Sequence, residues 1–126
     1  MERKYLIDTN IIIYHLNGIQ EASKFIDTNF NKIAISNITF IEVLSFNFKT
    51  YTEEKIVRKL LNNFEIIDLT KEISEETISI RKTKKIKLPD AIIAGVAKSK
   101  KLILVTRNEK DFKNIDIKVL NPLSNL

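Results

Sequence analysis

Four carboxylates in this chain stand just past short apolar runs. Asp8 follows Tyr5-Leu6-Ile7, and Glu42 lies in the helical stretch after Ile33-Ala34-Ile35. Asp90 follows Pro89, and Asp111 closes Thr106-Arg107-Asn108-Glu109-Lys110-Asp111, the segment after Leu102–Val105. Two carboxylates about 5 Å apart repel by about 3 kcal/mol at an effective dielectric of about 20. A hard cation such as Mg²⁺ or Mn²⁺ relieves that repulsion, because it prefers carboxylate and water oxygens. Such an ion makes water nucleophilic near neutral pH and stabilises in-line displacement at phosphorus. Phosphoryl chemistry is therefore what these residue types offer, provided the fold brings them together.

Composition removes the competing chemistries. The 126 residues include no Cys, which excludes a thiol nucleophile, a Cys-ligated zinc and a disulfide scaffold. One His, His15, excludes a paired-histidine ribonuclease mechanism within one chain. Two glycines, Gly18 and Gly95, can spell neither GxGxxG nor a P-loop. Lys and Arg number 21 against 16 Asp and Glu, a net charge of +5 that suits a polyanion without proving one. With 44% hydrophobic residues the chain can fill the core of one domain, residues 1–126. The start carries no unbroken apolar core of a secretory signal, and Ile92–Ala97 falls far short of a membrane span. A soluble cytoplasmic protein is expected.

The elements that must position the acids alternate. Strands are expected at 5–7, 33–35, 65–69, 102–105 and 117–120. Helices are expected at 10–16, 19–28, 52–63, 70–84 and 89–99, with a further helical run from Ile38 through Phe48. Several strands are unbroken apolar runs, as a sheet covered on both faces requires. The class is α/β with a mainly parallel sheet of four to five strands. Right-handed crossovers place the strands' C-terminal ends on one edge, where open α/β sheets bind ligands.

Each acid also has an ordinary structural reading. Asp8-Thr9-Asn10 fits a strand-to-helix turn capped by Thr9 or Asn10. Thr39 and Glu42 have the spacing of a capping box. Pro89 and Asp90 suit a helix start, and Asn108 suits the cap of a short turn that contains Asp111. Singly these readings match the functional ones; together they weaken, because Asp8, Glu42 and Asp90 all fall on the same expected edge.

In combination, YLIDTNIIIYHL at 5–16, ISNITFIEVL at 35–44 and LPDAIIAGVAKSKKLILVTRNEKDF at 88–112 are specific. They resemble the PIN domain, and within it the VapC-type ribonuclease toxins of toxin–antitoxin pairs, over nearly the whole chain. The resemblance implies a three-layer α/β/α sandwich and a Mg²⁺- or Mn²⁺-dependent endoribonuclease, with tRNA among the possible substrates. Asp8, Glu42 and Asp90 match the three core acidic positions: Asp8 and Asp90 as metal ligands, Glu42 as ligand or general base. The fourth position is assigned to Asp111. Many family members carry an acid where this chain has Asn108, so Asn108 is a polar partner or ligand and the second metal site stays open. Thr9 and Thr106 match hydroxyls that orient a carboxylate or a metal-bound water.

Arg81, Lys85 and Lys87 lead into the acidic edge and are expected to contact RNA phosphates, with Arg107 near the site. Lys98, Lys100 and Lys101 read as a solvated helix end. His15 reads as a surface or interface residue. Ala91, Ala94, Gly95 and Ala97 read as close-packing positions. Phe40, Phe46, Phe48 and Tyr51 divide between core and an apolar patch. The resemblance adds a VapB-like antitoxin seated in a groove there, and a homodimer. Two alternatives remain. A catalytically silent interaction module is kept open by Asn108. A receiver-like phosphoacceptor is disfavoured because Asp8 has no adjacent acid.

Overall fold

The computed structural model describes residues 2–123; the outer limits of the expected domain, residues 1 and 126, lie outside that range. Five strands form one parallel sheet: β1 (Tyr5–Ile7), β2 (Ile33–Ser36), β3 (Glu65–Ile67), β4 (Ile103–Val105) and β5 (Val119–Leu120), in the order β3-β2-β1-β4-β5. The helices are α1 (Thr9–Leu16), α2 (Gln20–Thr28), α3 (Asn37–Leu44), α4 (Tyr51–Leu61), α5 (Lys71–Thr83) and α6 (Leu88–Lys100).

Alternation along the strands builds three layers. Ile7, Ile33, Ile35 and Val105 pack with Ile11, Ile26, Val43 and Leu61 of α1–α4. Their neighbours Leu6, Ala34 and Leu104 pack on the other face with Ile73, Ile80 and Ile93 of α5 and α6. Each fully buried Leu or Ile contributes about 1.5–3 kcal/mol relative to an exposed one. This two-sided burial is why the strands read as unbroken apolar runs.

The chain first travels outward from β1 to β2 and β3, then crosses back to β4 on the far side of β1. The direction reverses between β1 and β4, whose register pairs Ile7 with Val105. The ends of these two strands therefore flank the switch-point crevice, where α/β sheets gather their ligands.

Boundaries depart from the sequence expectation in physical ways. The helical run to Phe48 stops at Leu44: Ser45 still reaches the Ile41 carbonyl through its N–H at 2.9 Å and its hydroxyl at 2.6 Å, and the Phe46 N–H then turns to the Val43 carbonyl at 3.5 Å. The next helix starts at Tyr51 rather than Thr52, capped by Thr50 Oγ1, which accepts the Glu53 N–H at 3.1 Å. Residues 117–118 stay outside β5, where the Ile117 N–H turns back to the Ile115 carbonyl at 2.8 Å.

Helix α6 is buried continuously from Ala91 to Ala97 between α5 and the sheet. Its small residues allow this, as expected. At Gly95 an added Cβ would sit 2.5 Å from Thr77 Oγ1, 3.2 Å from the Ile73 carbonyl and 3.3 Å from Thr77 N. Thr77 cannot easily yield, since it is buried and its hydroxyl donates to the Ile73 carbonyl at 2.8 Å. Gly95→Ala is therefore expected to destabilise the fold by about 1–3 kcal/mol despite its better helix propensity. Thr77→Ala in the same chain should recover part of that loss. Urea unfolding reads both, and a Gly95→Ala chain as stable as wild type would contradict the packing.

Candidate active site

Asp8 sits where β1 ends, 5% exposed, and is itself the cap of α1. The cap expected at Thr9 or Asn10 is thus one residue earlier. Asp8 Oδ1 accepts the Thr9 N–H at 2.8 Å. Its Oδ2 accepts the Thr106 hydroxyl at 2.8 Å, across the β1–β4 switch point. Thr106 is fully buried and also accepts, from Asn10 Nδ2 at 3.3 Å and from the Asn108 N–H at 3.1 Å. One hydroxyl therefore ties Asp8 to the turn after β4.

Glu42 does not form a capping box. Ser36 caps α3 by accepting the Ile38 N–H at 3.1 Å, which leaves Glu42 beyond the first turn. Its Oε1 instead accepts the Thr9 hydroxyl at 2.6 Å. A carboxylate only accepts, so the Thr9 proton is committed there. The 3.1 Å contact between Thr9 Oγ1 and Thr39 Oγ1 then has Thr39 as donor.

Asp90 lies in the first turn of α6, after Leu88 and Pro89, and makes no side-chain cap bond. With Asp8, Glu42 and Asn108 it lines an open depression of about 640 Å³. Asp111 is not on this wall. It lies on the short 3-10 turn Glu109–Phe112, exposed, and lines a second depression of about 610 Å³ with Arg81, Lys84, Lys85 and Lys87. Asp90 borders both. So the structure brings Asp8, Glu42 and Asp90 together, puts Asn108 beside them and sets Asp111 against the basic side.

The electrostatics agree with the crowding. Burial pushes the Asp8 carboxyl up from 3.8 to about 6, helped by the charges of Asp90 and Glu42 and opposed by its bonds from Thr106 and Thr9. Burial also raises Asp90, with the charges of Asp111 and Glu42 adding to it and Lys87 opposing. The donor set is all oxygen and its charges repel, which suits a hard divalent cation. Among the described residues no three carboxylates converge tightly enough to ligate an ion as they stand.

Other expected residues resolve as follows. Arg107 pairs with no acid among the described residues; its Nη1 donates to the Tyr14 hydroxyl at 2.6 Å, and its guanidinium lies 5.4 Å from that ring's centre. His15 faces Ser23 Oγ at 2.8 Å, on the α1–α2 side. Lys98 pairs with Glu76 at 3.6 Å, which supports its reading as a solvated helix end. Phe40 and Phe48 pack against the core, whereas Phe46 and Tyr51 are exposed. Thr39, Asn10 and Tyr14 were not among the expected site residues. Asn10 stands in the Asp8-Thr9-Asn10 motif, but its partners are Thr106 and the Arg107 N–H, 96 and 97 residues away.

Comparison with known proteins converges on one group. Residues 5–118 match the PIN domain family. Ribonuclease VapC2 of Methanocaldococcus jannaschii is 32% identical over 135 aligned positions, covering 91% of this chain and 91% of that protein. The tRNA(fMet)-specific endonuclease VapC of Shigella flexneri is 26% identical over 121 positions, covering 89% and 92%. A toxin–antitoxin complex from Klebsiella pneumoniae holds a chain that is 39% identical, with a TM-score of 0.84 over 94% of this chain and 98% of its own.

The Asp8 environment carries a pH signature. Folded Asp8 holds its proton more tightly than the unfolded chain does. Its contribution therefore favours the metal-free fold below about 4 and is lost as pH rises from 3.8 to about 6. Asp8→Asn has no such proton to lose. In EDTA, its stability relative to wild type is expected to grow across that window by on the order of 2 kcal/mol. Thermal unfolding at stepped pH measures this, and parallel wild-type and variant curves would contradict it.

Proposed function

This chain belongs to the PIN domain family, and from that premise we propose that it is a Mg²⁺- or Mn²⁺-dependent endoribonuclease and the toxin of a toxin–antitoxin pair. The observation that carries the reading is the clustering of Asp8, Glu42 and Asp90 at the sheet switch point, with a basic depression sharing Asp90. The relatives support the same activity, being a ribonuclease and a tRNA(fMet)-specific endonuclease. The phosphoacceptor alternative has no support among them.

Roles follow from the hydrogen bonds. Asp8 and Asp90 would hold the ion. Each Asp8 oxygen accepts one protein hydrogen bond and keeps capacity for a cation. Asn108, on the same wall, would add a neutral oxygen, while Asp111 would act from the basic side. When bound, the ion supplies a nucleophilic water and charge stabilisation at the phosphate. Glu42, its carboxylate oriented by Thr9, would accept a proton from the attacking water. Arg81, Lys85 and Lys87 would draw RNA phosphates toward Asp90.

The antitoxin reading has a surface to match. Leu16 of α1, Phe46, Phe48 and Ile56 of α4 line an apolar groove of about 420 Å³. The Klebsiella pneumoniae chain belongs to a toxin–antitoxin complex, which supports a VapB-like partner; the apolar lining is what favours this groove as its seat. No helix among the described residues is long and apolar enough to cross a membrane.

Cleavage of a total-RNA and tRNA panel tests the activity. Cutting is expected in Mg²⁺ or Mn²⁺ and not in EDTA, and Glu42→Gln should lower its rate about 100-fold or more. Metal-independent cutting, or full activity in Glu42→Gln, would overturn the assignment. For the partner, Ile56→Glu on the exposed face of α4 is expected to weaken a co-expressed antitoxin complex while circular dichroism stays unchanged. A complex that co-purifies undiminished would remove the groove from the reading.

A further inference from the structure

The acidic depression has two unlike sides. On one side Asp90 opens onto Arg81, Lys84, Lys85 and Lys87. On the other stand Ile13, Tyr14, Ile41 and Phe46, of which Ile41 and Phe46 each leave 54% of their surface in water. Ile13 and Phe46 also border the groove assigned above to an antitoxin, whereas Tyr14 and Ile41 do not, so hydrocarbon this close to a carboxylate cluster needs its own explanation. It gains nothing from solvent, and it thins the water that would screen the acids from one another. Neither a hydrated cation nor a phosphate needs such a wall. A nucleobase does, because its π-face stacks on aromatic rings.

The wall is also braced for a flat ligand. Tyr14 is pinned at its hydroxyl by Arg107 Nη1 at 2.6 Å. The Arg107 N–H is bonded in turn to Asn10 Oδ1 at 3.3 Å, and Asn10 Nδ2 to the Thr106 hydroxyl at 3.3 Å. Thr106 is the residue that holds Asp8. The ring is thus fixed in the same hydrogen-bonded frame as the carboxylate, and its distance from the acidic cluster is set by the fold.

We infer that Tyr14 and Phe46 receive one unstacked nucleobase beside the cut phosphodiester, and that the strand's phosphates continue past Asp90 into the basic depression. This rests on the nuclease reading above and adds the two residues that would hold a base of the substrate. A duplex keeps its bases inward and offers mainly backbone and sugar hydroxyls. It meets the lysines and leaves the apolar wall empty.

Fluorescence anisotropy on the full chain carrying Asp90→Asn, chosen to keep bound RNA uncut, tests the inference with three probes of equal length. These are a single-stranded RNA, its duplex, and a tetrahydrofuran-phosphate strand that has no bases. The single strand is expected to bind tightest. Phe46→Ala, at an exposed position, should weaken it about 5- to 100-fold and leave the base-free strand unchanged. Tyr14→Phe keeps the ring in its packing and drops the Arg107 bond, and should weaken only the base-bearing strand. Lys85→Gln should weaken both strands alike and flatten their salt dependence. Equal loss on both strands with Phe46→Ala, no loss on either, or preference for the duplex overturns the inference. So does a Phe46→Ala chain that binds RNA normally and loosens only the antitoxin complex, which would give the ring to the protein partner. Wild-type chain that neither cuts nor binds RNA removes the nuclease reading as well; RNA cutting indifferent to Phe46 removes the base wall alone.

Discussion

The hydrogen bond from Thr106 to Asp8 joins residues 98 apart in sequence and holds a carboxylate almost out of water. Much of the architecture can be understood as what that bond requires. β1 and β4 must be neighbours with their C-terminal ends level, which the Ile7–Val105 register provides. They are neighbours because the chain leaves β1 in one direction and returns on the other. That path needs helices on both faces, hence two cores and strands apolar on both sides. The Thr106 hydroxyl then has its proton and both lone pairs in use, with Asp8, Asn10 and the Asn108 N–H as partners. Little freedom remains in how the strand ends sit.

What this frame positions is unfavourable in itself. Asp8 and Asp90 are both held above the ordinary carboxylate range by burial and by neighbouring charges. The hydrophobic layers supply the stability that keeps such groups together, a trade between stability and function common in functional sites. Affinity for a divalent cation and stability without one would thus be set by one geometry with opposite signs. Crowding that weakens the bare fold is what a divalent cation would relieve.

The three acids of the edge were legible in sequence because each follows an apolar run, and an apolar run is a local signal. So were the alternation of strands and helices and the small residues of α6. Relations were not legible. Thr39 and Asn10 look like ordinary capping residues, and only the fold shows that one supports Thr9 and the other Thr106. Arg107 beside an acidic cluster suggests an ion pair, yet it is engaged by Tyr14, ninety-odd residues earlier. Asn108 caps a single 3-10 turn and Asp111 lies within it, so the two border different depressions on either side of Asp90, which their spacing does not reveal. The end of α3 escaped for the opposite reason. The Phe46 N–H turns back to the Val43 carbonyl, a local change that hydrophobic spacing does not register.

The place of β4 has a consequence for how the protein comes into being. Strand β4 lies between β1 and β5, so the sheet's centre is completed by a segment from the last quarter of the chain. A chain emerging from the ribosome N-terminus first can bury β1 against β2 and form α1–α4 around them. Until Thr106 has cleared the exit, Asp8 lacks its hydroxyl partner and the crevice lacks one bank. Pairings this distant in sequence also form slowly, because loop closure must precede the contacts that stabilise it. The acidic edge is therefore complete only once residues 98 apart in sequence have met.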